Sequence, residues 1–316
     1  RRPTENLLRM RVRLDLDAEM EKVRRAGASL ITLTDTVYPT LLRQLPEAPA
    51  VLYIRGELAP EDAQALSVVG TRKATTYGRD VAHDLSRQLA QDGITIVSGL
   101  AHGIDAAAHA GALAGGGRTI AVLGCGIDRI YPADHRGLAE AVMRQGALLS
   151  EFPVGTPPDG RNFPRRNRVI SGMSLGVLVV EAPENSGALI TAAVAAEQGR
   201  EVFAVPGNIF NLSSRGANRL IQDGAKLVMG VDDILLELNL ALRNVQTKVA
   251  AETIAPSNDI EARLLGHLNA DPVHVDDLAR LCDLPIAIVT STLTIMELKG
   301  LARMVGPMQY SVIRNH

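Results

Sequence analysis

Between residues 65 and 230 the chain repeats one pattern that restricts its fold more than any other feature. Short runs rich in β-branched residues alternate with segments of helical length. The runs are Ala65 to Val69, Ile94 to Val97, Thr119 to Leu123, Ala147 to Ser150, Val177 to Val180, Val202 to Val205 and Leu227 to Met229. Most are separated by helical stretches such as Tyr77 to Gln91, Ala106 to Leu113, Arg136 to Gln145 and Ala188 to Gln198. Runs of this length, bounded by Gly or Pro, are what a parallel sheet buried on both faces requires. The pattern predicts one α/β domain over residues 61–245, a doubly wound, Rossmann-like parallel sheet.

The flanks read differently. Residues 1–60 hold a polar helical stretch around Asp17 to Gly27 and two apolar runs, Ser29 to Leu33 and Ala50 to Ile54, split by the turn-rich Tyr38-Pro39. They are expected to form an N-terminal extension packed on the core. A helix from Asp232 to Asn244 leads into a linker over 246–258, where periodicity is lost. Residues 259–316 then predict three helices, Glu261 to Leu268, Val275 to Leu281 and Ile286 to Leu298. A hairpin follows, Leu301 to Val305 with Gln309 to Ile313 across Gly306-Pro307. That is the outline of a small C-terminal winged-helix domain.

Charge decides which partners are admissible. With 33 basic and 35 acidic side chains the formal charge is −2, so any polyanion must be held by a local patch. Four Phe, five Tyr and no Trp exclude a sheet of stacking rings as the main device. The two cysteines, Cys125 and Cys282, have no CxxC or Cys/His cluster around them, so neither a disulfide framework nor structural zinc is indicated, and no cofactor is expected. No apolar run approaches the roughly 20 residues that span a bilayer, and Arg1-Arg2-Pro3 is not followed by a signal-peptide segment. The expectation is a cytoplasmic protein with no membrane partner.

In a parallel sheet all strand C-termini share one edge, and ligands bind in the crevice there. The turns at those ends carry the unusual residues. They are Gly70-Thr71-Arg72-Lys73, Ser98-Gly99-Leu100-Ala101-His102-Gly103-Ile104-Asp105, Gly124-Cys125-Gly126, Asn185-Ser186-Gly187 and Pro206-Gly207-Asn208. Glycines admit close backbone approach and helix N-termini favour anions, so these turns predict a phosphate-binding groove. Residues 161–168 add Arg161, Phe163, Arg165, Arg166, Asn167 and Arg168. Four arginines in eight positions stand out against 16 basic and 16 acidic residues between 60 and 230. Arg supplies bidentate phosphate bonds and Phe163 a stacking surface.

Other signatures fail. Gly124-Cys125-Gly126-Ile127-Asp128-Arg129 lacks the third glycine of a dinucleotide site, and no GxxxxGK[ST] occurs. Ser98, His102 and Asp105 have no GxSxG elbow, so no triad is expected. Asp105 reads as a helix N-cap and His109 as a helix-face or core residue. In the third helix of the winged unit the only charge is Glu297, and residues 258–316 hold five basic against seven acidic side chains. Duplex readout is therefore disfavoured, and a protein contact is the better role for that unit.

Taken in order, several segments resemble the DprA/Smf family of DNA-processing proteins. They are Val69 to Gly78, Ser98 to Asp105 with His109, Thr119 to Gly124 with Tyr131-Pro132, Phe163 to Arg168, Glu181-Ala182 with Ser186 to Ala192, and Ala204 to Gly207. The resemblance covers residues 38–230. It implies an extended Rossmann fold that binds single-stranded DNA, forms homodimers, loads the recombinase RecA in natural transformation, and is not an enzyme. It also implies a DNA groove built from Gly70 to Lys73, Ser98 to Asp105, Phe163 to Arg168 and Asn185 to Gly187. His102 stands where the family more usually has Arg, and Ala133 where Lys is frequent, so two cationic contacts are lost. The family's N-terminal helical domain is not recognisable in residues 1–30. The rival from another class is a Rossmann-type nucleotide phosphoribohydrolase carrying PGGxGTxxE. Here Glu184-Asn185-Ser186-Gly187-Ala188-Leu189-Ile190-Thr191 lacks the paired glycines and the following Glu.

Overall fold

The computed structural model describes residues 15–238, 258–269, 272–298, 301–306 and 308–312. Two compact units divide after Leu238. The expected linker lies outside the described residues apart from Asn258, as do Pro307, Ile313 and the second half of the helix expected up to Asn244.

The first unit is built on a nine-stranded sheet. Its strands are β1 (Ser29–Thr32), β2 (Val51–Gly56), β3 (Ala65–Val69), β4 (Thr95–Ser98), β5 (Thr119–Leu123), β6 (Gly146–Ser150), β7 (Gly176–Val179), β8 (Glu201–Ala204) and β9 (Lys226–Leu227). Their spatial order is β1-β2-β6-β5-β4-β3-β7-β8-β9. From β6 to β9 every pairing is parallel. Strands β3 to β7 are buried along their whole length, as their unbroken apolar runs require. Alternate residues serve opposite faces. Ile120, Val122, Ala147 and Leu149 join one core with Val169, Ile170, Ala188 and Ala192, whereas Ala121, Leu123 and Leu148 join another with Ala139 and Val142.

Crossover helices cover both faces. They are α3 (Thr76–Gln91), α4 (Ile104–Ala114), α5 (Arg136–Gln145), α6 (Asn162–Gly172), α7 (Gly187–Glu197) and α8 (Arg215–Gln222), with α9 (Val231–Glu237) after β9. The fold is the expected doubly wound, Rossmann-like α/β architecture, and its sheet extends further than the sequence reading placed it. After α1 (Leu16–Arg25), β1 and β2 flank the short helix α2 (Thr40–Arg43); β2 adds antiparallel to β6, with Ile54 opposite Leu149, and β1 adds antiparallel to β2. Ile31, Leu52 and Ile54 point to the core and their neighbours outward, so each strand contributes only one or two buried apolar side chains to the pattern. Tyr38 closes the connection, its buried hydroxyl donating to the Pro49 carbonyl at 2.7 Å.

The strand order reverses between β3 and β7. Chain connectivity runs from β3 towards β6 on one side and from β7 towards β9 on the other. The turns leaving β3 and β7 therefore diverge and open a crevice between them.

The second unit contains α10 (Asp259–His267), β10 (Val273–His274), α11 (Val275–Cys282), α12 (Ile286–Leu298), β11 (Ala302–Gly306) and β12 (Gln309–Val312). Leu264, Leu278, Val289, Leu293, Met296 and Tyr310 form its core. Asp283, at φ 51°, takes the left-handed conformation that lets the chain turn sharply from α11 into α12. The two-residue β10, too short to read from sequence, makes the wing three-stranded in the order β10-β12-β11.

Candidate nucleic-acid interface

A groove of about 540 Å³ lies at the reversal point. Its walls are the β3 turn with Thr71, Arg72 and Lys73, the start of α7 with Asn185, Ser186 and Gly187, and one face of α6 with Phe163, Arg166 and Asn167. Arg72 and Lys73 are exposed and no carboxylate pairs with either among the described residues. The Arg72 guanidinium stacks over the Phe163 ring at 4.9 Å, and Tyr131 lies 5.9 Å from the same ring. Ser186 caps α7, its hydroxyl accepting from the Ala188 N–H at 3.3 Å, so the positive end of an 11-residue helix faces the groove.

Buried polar groups hold these walls. Glu181, at the end of β7, accepts from the Thr75 N–H and the Thr75 hydroxyl, both at 2.8 Å. Its backbone carbonyl accepts the Thr71 N–H at 2.7 Å. The β3 turn is thus fastened to β7 across the crevice it borders.

The β4 turn is organised around Asp105, which is not the N-cap the sequence suggested. Gly103 occupies that position, and Asp105 in the first turn of α4 accepts from the N–H groups of Gly99 at 3.1 Å and Ala101 at 3.3 Å. Positive φ at Leu100 (60°) and Gly103 (76°) curls the loop so that its N–H groups converge on one carboxylate. A side chain at Gly103 would meet the Thr71 carbonyl at 2.3 Å. Burial pushes the Asp105 carboxyl up, against the opposing charge of Arg166.

Arg166 is enclosed. Its Nη1 donates to the carbonyls of Gly99 at 2.7 Å and Val122 at 2.6 Å, and a Cβ on Gly99 would stand 2.1 Å from that nitrogen. The expectation that Arg165, Arg166 and Arg168 all belong to the groove with Phe163 is therefore corrected. On a helix, positions i, i+3 and i+4 share a face. Phe163, Arg166 and Asn167 form the groove face of α6, while Arg165 and Arg168 face away towards Glu151. Arg168 binds Glu151 and the Glu47 carbonyl, and Arg165, 65% exposed, is 3.8 Å from Glu151 and stacks on Phe152. Arg161 is engaged with Asp159.

The glycine turns are corrected in the same way. Ser98 and Leu100 are fully buried, with the Ser98 hydroxyl donating to the Val68 carbonyl. Gly70 packs on Ile104, Gly124 on Phe163 and Gly126 on the Pro153 carbonyl. The turns after β3, β4 and β5 thus use these glycines for the protein's own close packing, although Gly70 also lines the groove, whereas Gly187 faces open space there. His102, 51% exposed, borders a smaller recess shared with Arg72, Tyr131 and Phe163. Tyr131 was missed as a site residue, although its place beside Pro132 in a strand-end turn was visible.

A family model described as DNA recombination-mediator protein A matches residues 29–239. The chain belongs to this family. A second model, the DprA winged helix domain, matches residues 248–306. The DNA processing protein DprA of Bacillus subtilis is 44% identical over 71% of this chain and 75% of its own. Protein Smf of Escherichia coli is 40% identical over 91% of this chain and 78% of its own. Among solved structures, DNA processing protein A from Streptococcus pneumoniae superposes with a TM-score of 0.67 at 40% identity, covering 72% of this chain and 79% of that one. DNA processing protein A from Helicobacter pylori, studied for its single-stranded DNA binding mode, superposes at 0.60 with 28% identity over 69% and 98%. The DprA fold therefore spans the groove-bearing unit, and among the described residues no single helix is long and apolar enough to cross a membrane.

Proposed function

We propose that this DprA-family chain binds single-stranded DNA without sequence preference in the switch-point groove, acts without catalysis, and delivers the strand to RecA during DNA uptake and recombination. The observation that carries the reading is the placement of Arg72 and Lys73, free of carboxylate partners among the described residues, beside Phe163 and the α7 N-terminus. Cations neutralise phosphates, the ring offers a stacking surface to an unpaired base, and helix amides accept backbone oxygens. The hydrolase rival needs a carboxylate free to act in the groove. Asp105, which lines it, is committed to the loop's own N–H groups, and Glu181 beneath it to Thr75.

Labelled oligo-dT, titrated in a length series at several salt concentrations, tests the reading. Affinity should fall steeply with salt, because each neutralised phosphate releases counterion. Salt-independent binding would overturn it. Incubation with nucleoside monophosphates should release no free base. Delivery to RecA is supported by family membership alone, and is tested by the lag in RecA filament growth on strands pre-coated with single-strand-binding protein.

Homodimer formation is supported by the β9 edge, which is paired only to β8 among the described residues and carries exposed Leu227, with exposed Met229 just beyond it. Light scattering of the chain and of Met229→Asp tests it. For the winged unit, the exposed Ile288, Ser291 and Ile295 on α12 favour a protein contact over a DNA groove.

A further inference from the structure

Three side chains converge from two separate loops, one of them, His102, at the recess that adjoins the groove. His102 comes from the turn after β4, and Asp134 and His135 from the 3-10 turn Ala133–His135 that precedes α5. One ligand atom from each lies within 4.8 Å of the other two. Two imidazoles and a carboxylate are the donor set of an open-sided site for a divalent transition ion.

Hydrogen bonding prepares these groups for that role. His135 Nδ1 lies 2.9 Å from the Leu100 carbonyl, which can only accept, so the proton sits on Nδ1 and Nε2 keeps its lone pair. This is the arrangement by which proteins orient a metal-binding imidazole. The carboxylate of Asp134 receives no hydrogen bond among the described residues. Its approach to His102 Nδ1, at 3.8 Å, is too long to be one. The His102 and His135 rings stand edge to face, their centroids 4.7 Å apart. Ligands at roughly 2.0–2.1 Å from a zinc ion lie about 3.3 Å from one another in a tetrahedron. Closing from the observed spacing takes small rotations of two exposed side chains, His102 and Asp134.

We propose that His102, Asp134 and His135 bind one divalent transition-metal ion of the zinc type, with its open coordination position available to a phosphate oxygen of a strand in the groove. The recess beside His102 is bordered by Arg72 and Phe163, which also line the main groove, so ion and strand are neighbours. With one carboxylate among its ligands the bound ion keeps a net positive charge close to Arg72. An anionic fourth ligand relieves that repulsion, which makes the coupling between ion and strand favourable in both directions. The phosphate half of the proposal rests on the function proposed above; the metal half does not.

The test uses the full chain without a histidine tag, stripped with chelator. Zn²⁺ is titrated by calorimetry and Co²⁺ by visible absorption, both without DNA. One ion per chain is expected, with affinity lowered roughly tenfold or more in His102→Ala and in Asp134→Asn and unaltered in His267→Ala, which lies in the winged unit. Lack of saturable binding at micromolar zinc overturns the site, as does undiminished binding by His102→Ala, whose exposed side chain can be removed without unfolding. Oligo-dT affinity is then measured in chelator and in zinc. Zinc should tighten wild type several-fold and leave His102→Ala unaffected. Oligonucleotide binding absent in chelator and in zinc alike defeats the groove reading, whereas normal binding that bound zinc does not alter defeats the phosphate-ligand role.

Discussion

In the groove wall, Arg166 and Asp105 are almost wholly buried, and their polar atoms are engaged by the protein's own backbone. Removing Arg166 would strip the Gly99 and Val122 carbonyls of their donor and leave Asp105 without its compensating cation. Breaking a buried charge arrangement of this kind costs about 3–5 kcal/mol. Arg166→Ala should therefore lower urea-unfolding stability on that scale, and Gly99→Ala should disturb the same contact. Arg72→Ala should do the reverse, leaving the unfolding midpoint within about 0.5 kcal/mol of wild type while weakening oligo-dT binding. The slope of log affinity against log salt should shrink by about 0.7, the amount expected for one phosphate on a single strand. An unaltered slope would remove Arg72 from the interface.

His109 gives a pH signature at the same scale. The Thr119 hydroxyl donates to the Ile96 carbonyl at 2.7 Å, so His109 Nδ1 must be the donor in its own 2.7 Å bond to Thr119, and Nε2 is left buried without a partner. Burial holds the imidazole down at about 3, far below the ordinary 6.5. The unfolded chain therefore takes up a proton that the folded chain refuses. The stability contribution is complete above pH 6.5 and is lost as pH falls towards 3, at up to about 1.4 kcal/mol per pH unit. His109→Gln should flatten the fall in Tm between pH 6.5 and 4.5, and an equally steep fall in the variant would locate the effect elsewhere.

At the scale of elements, the division of labour on α6 follows from helical geometry. Consecutive arginines on a helix point about 100° apart, so Arg165, Arg166 and Arg168 cannot all face one strand. The sequence shows the concentration of charge; the helix decides which positions meet the groove. Fastening between elements matters as much. Glu181 is buried, and it holds the β3 turn through Thr75. Glu181→Ala should cost about 2 kcal/mol or more in denaturant unfolding by orphaning buried donors, and should weaken oligo-dT binding through loss of the Arg72 position. Weakened stability with full affinity would show that the turn keeps its shape unaided. The N-terminal strands teach a related point. β1 and β2 are buried on one face only, so their short alternating signal reads as an extension until β6 offers them an edge.

At the scale of the molecule, each unit has its own hydrophobic core. A chain ending at Leu238 should keep oligo-dT affinity within about twofold, since every groove residue precedes that point. Excess duplex should compete poorly against either form, because the exposed side of α12 offers no Arg, Lys, Asn or Gln to base edges. Loss of single-strand binding on truncation would assign the winged unit a direct share in the interface.

The amino-acid order alone determined the α/β alternation, the parallel core and the winged unit, because hydrophobic periodicity and turn residues act over a few neighbours. It also identified the Gly70 to Lys73 turn and Phe163 as chemistry-bearing. Which charges are available to a ligand was decided by the tertiary structure. Arg72 and Arg166 are the same residue type, yet one lies in solvent over Phe163 and the other under two backbone carbonyls. Only packing between β4, β5 and α6 distinguishes them, since burial and partner choice depend on residues distant in the chain.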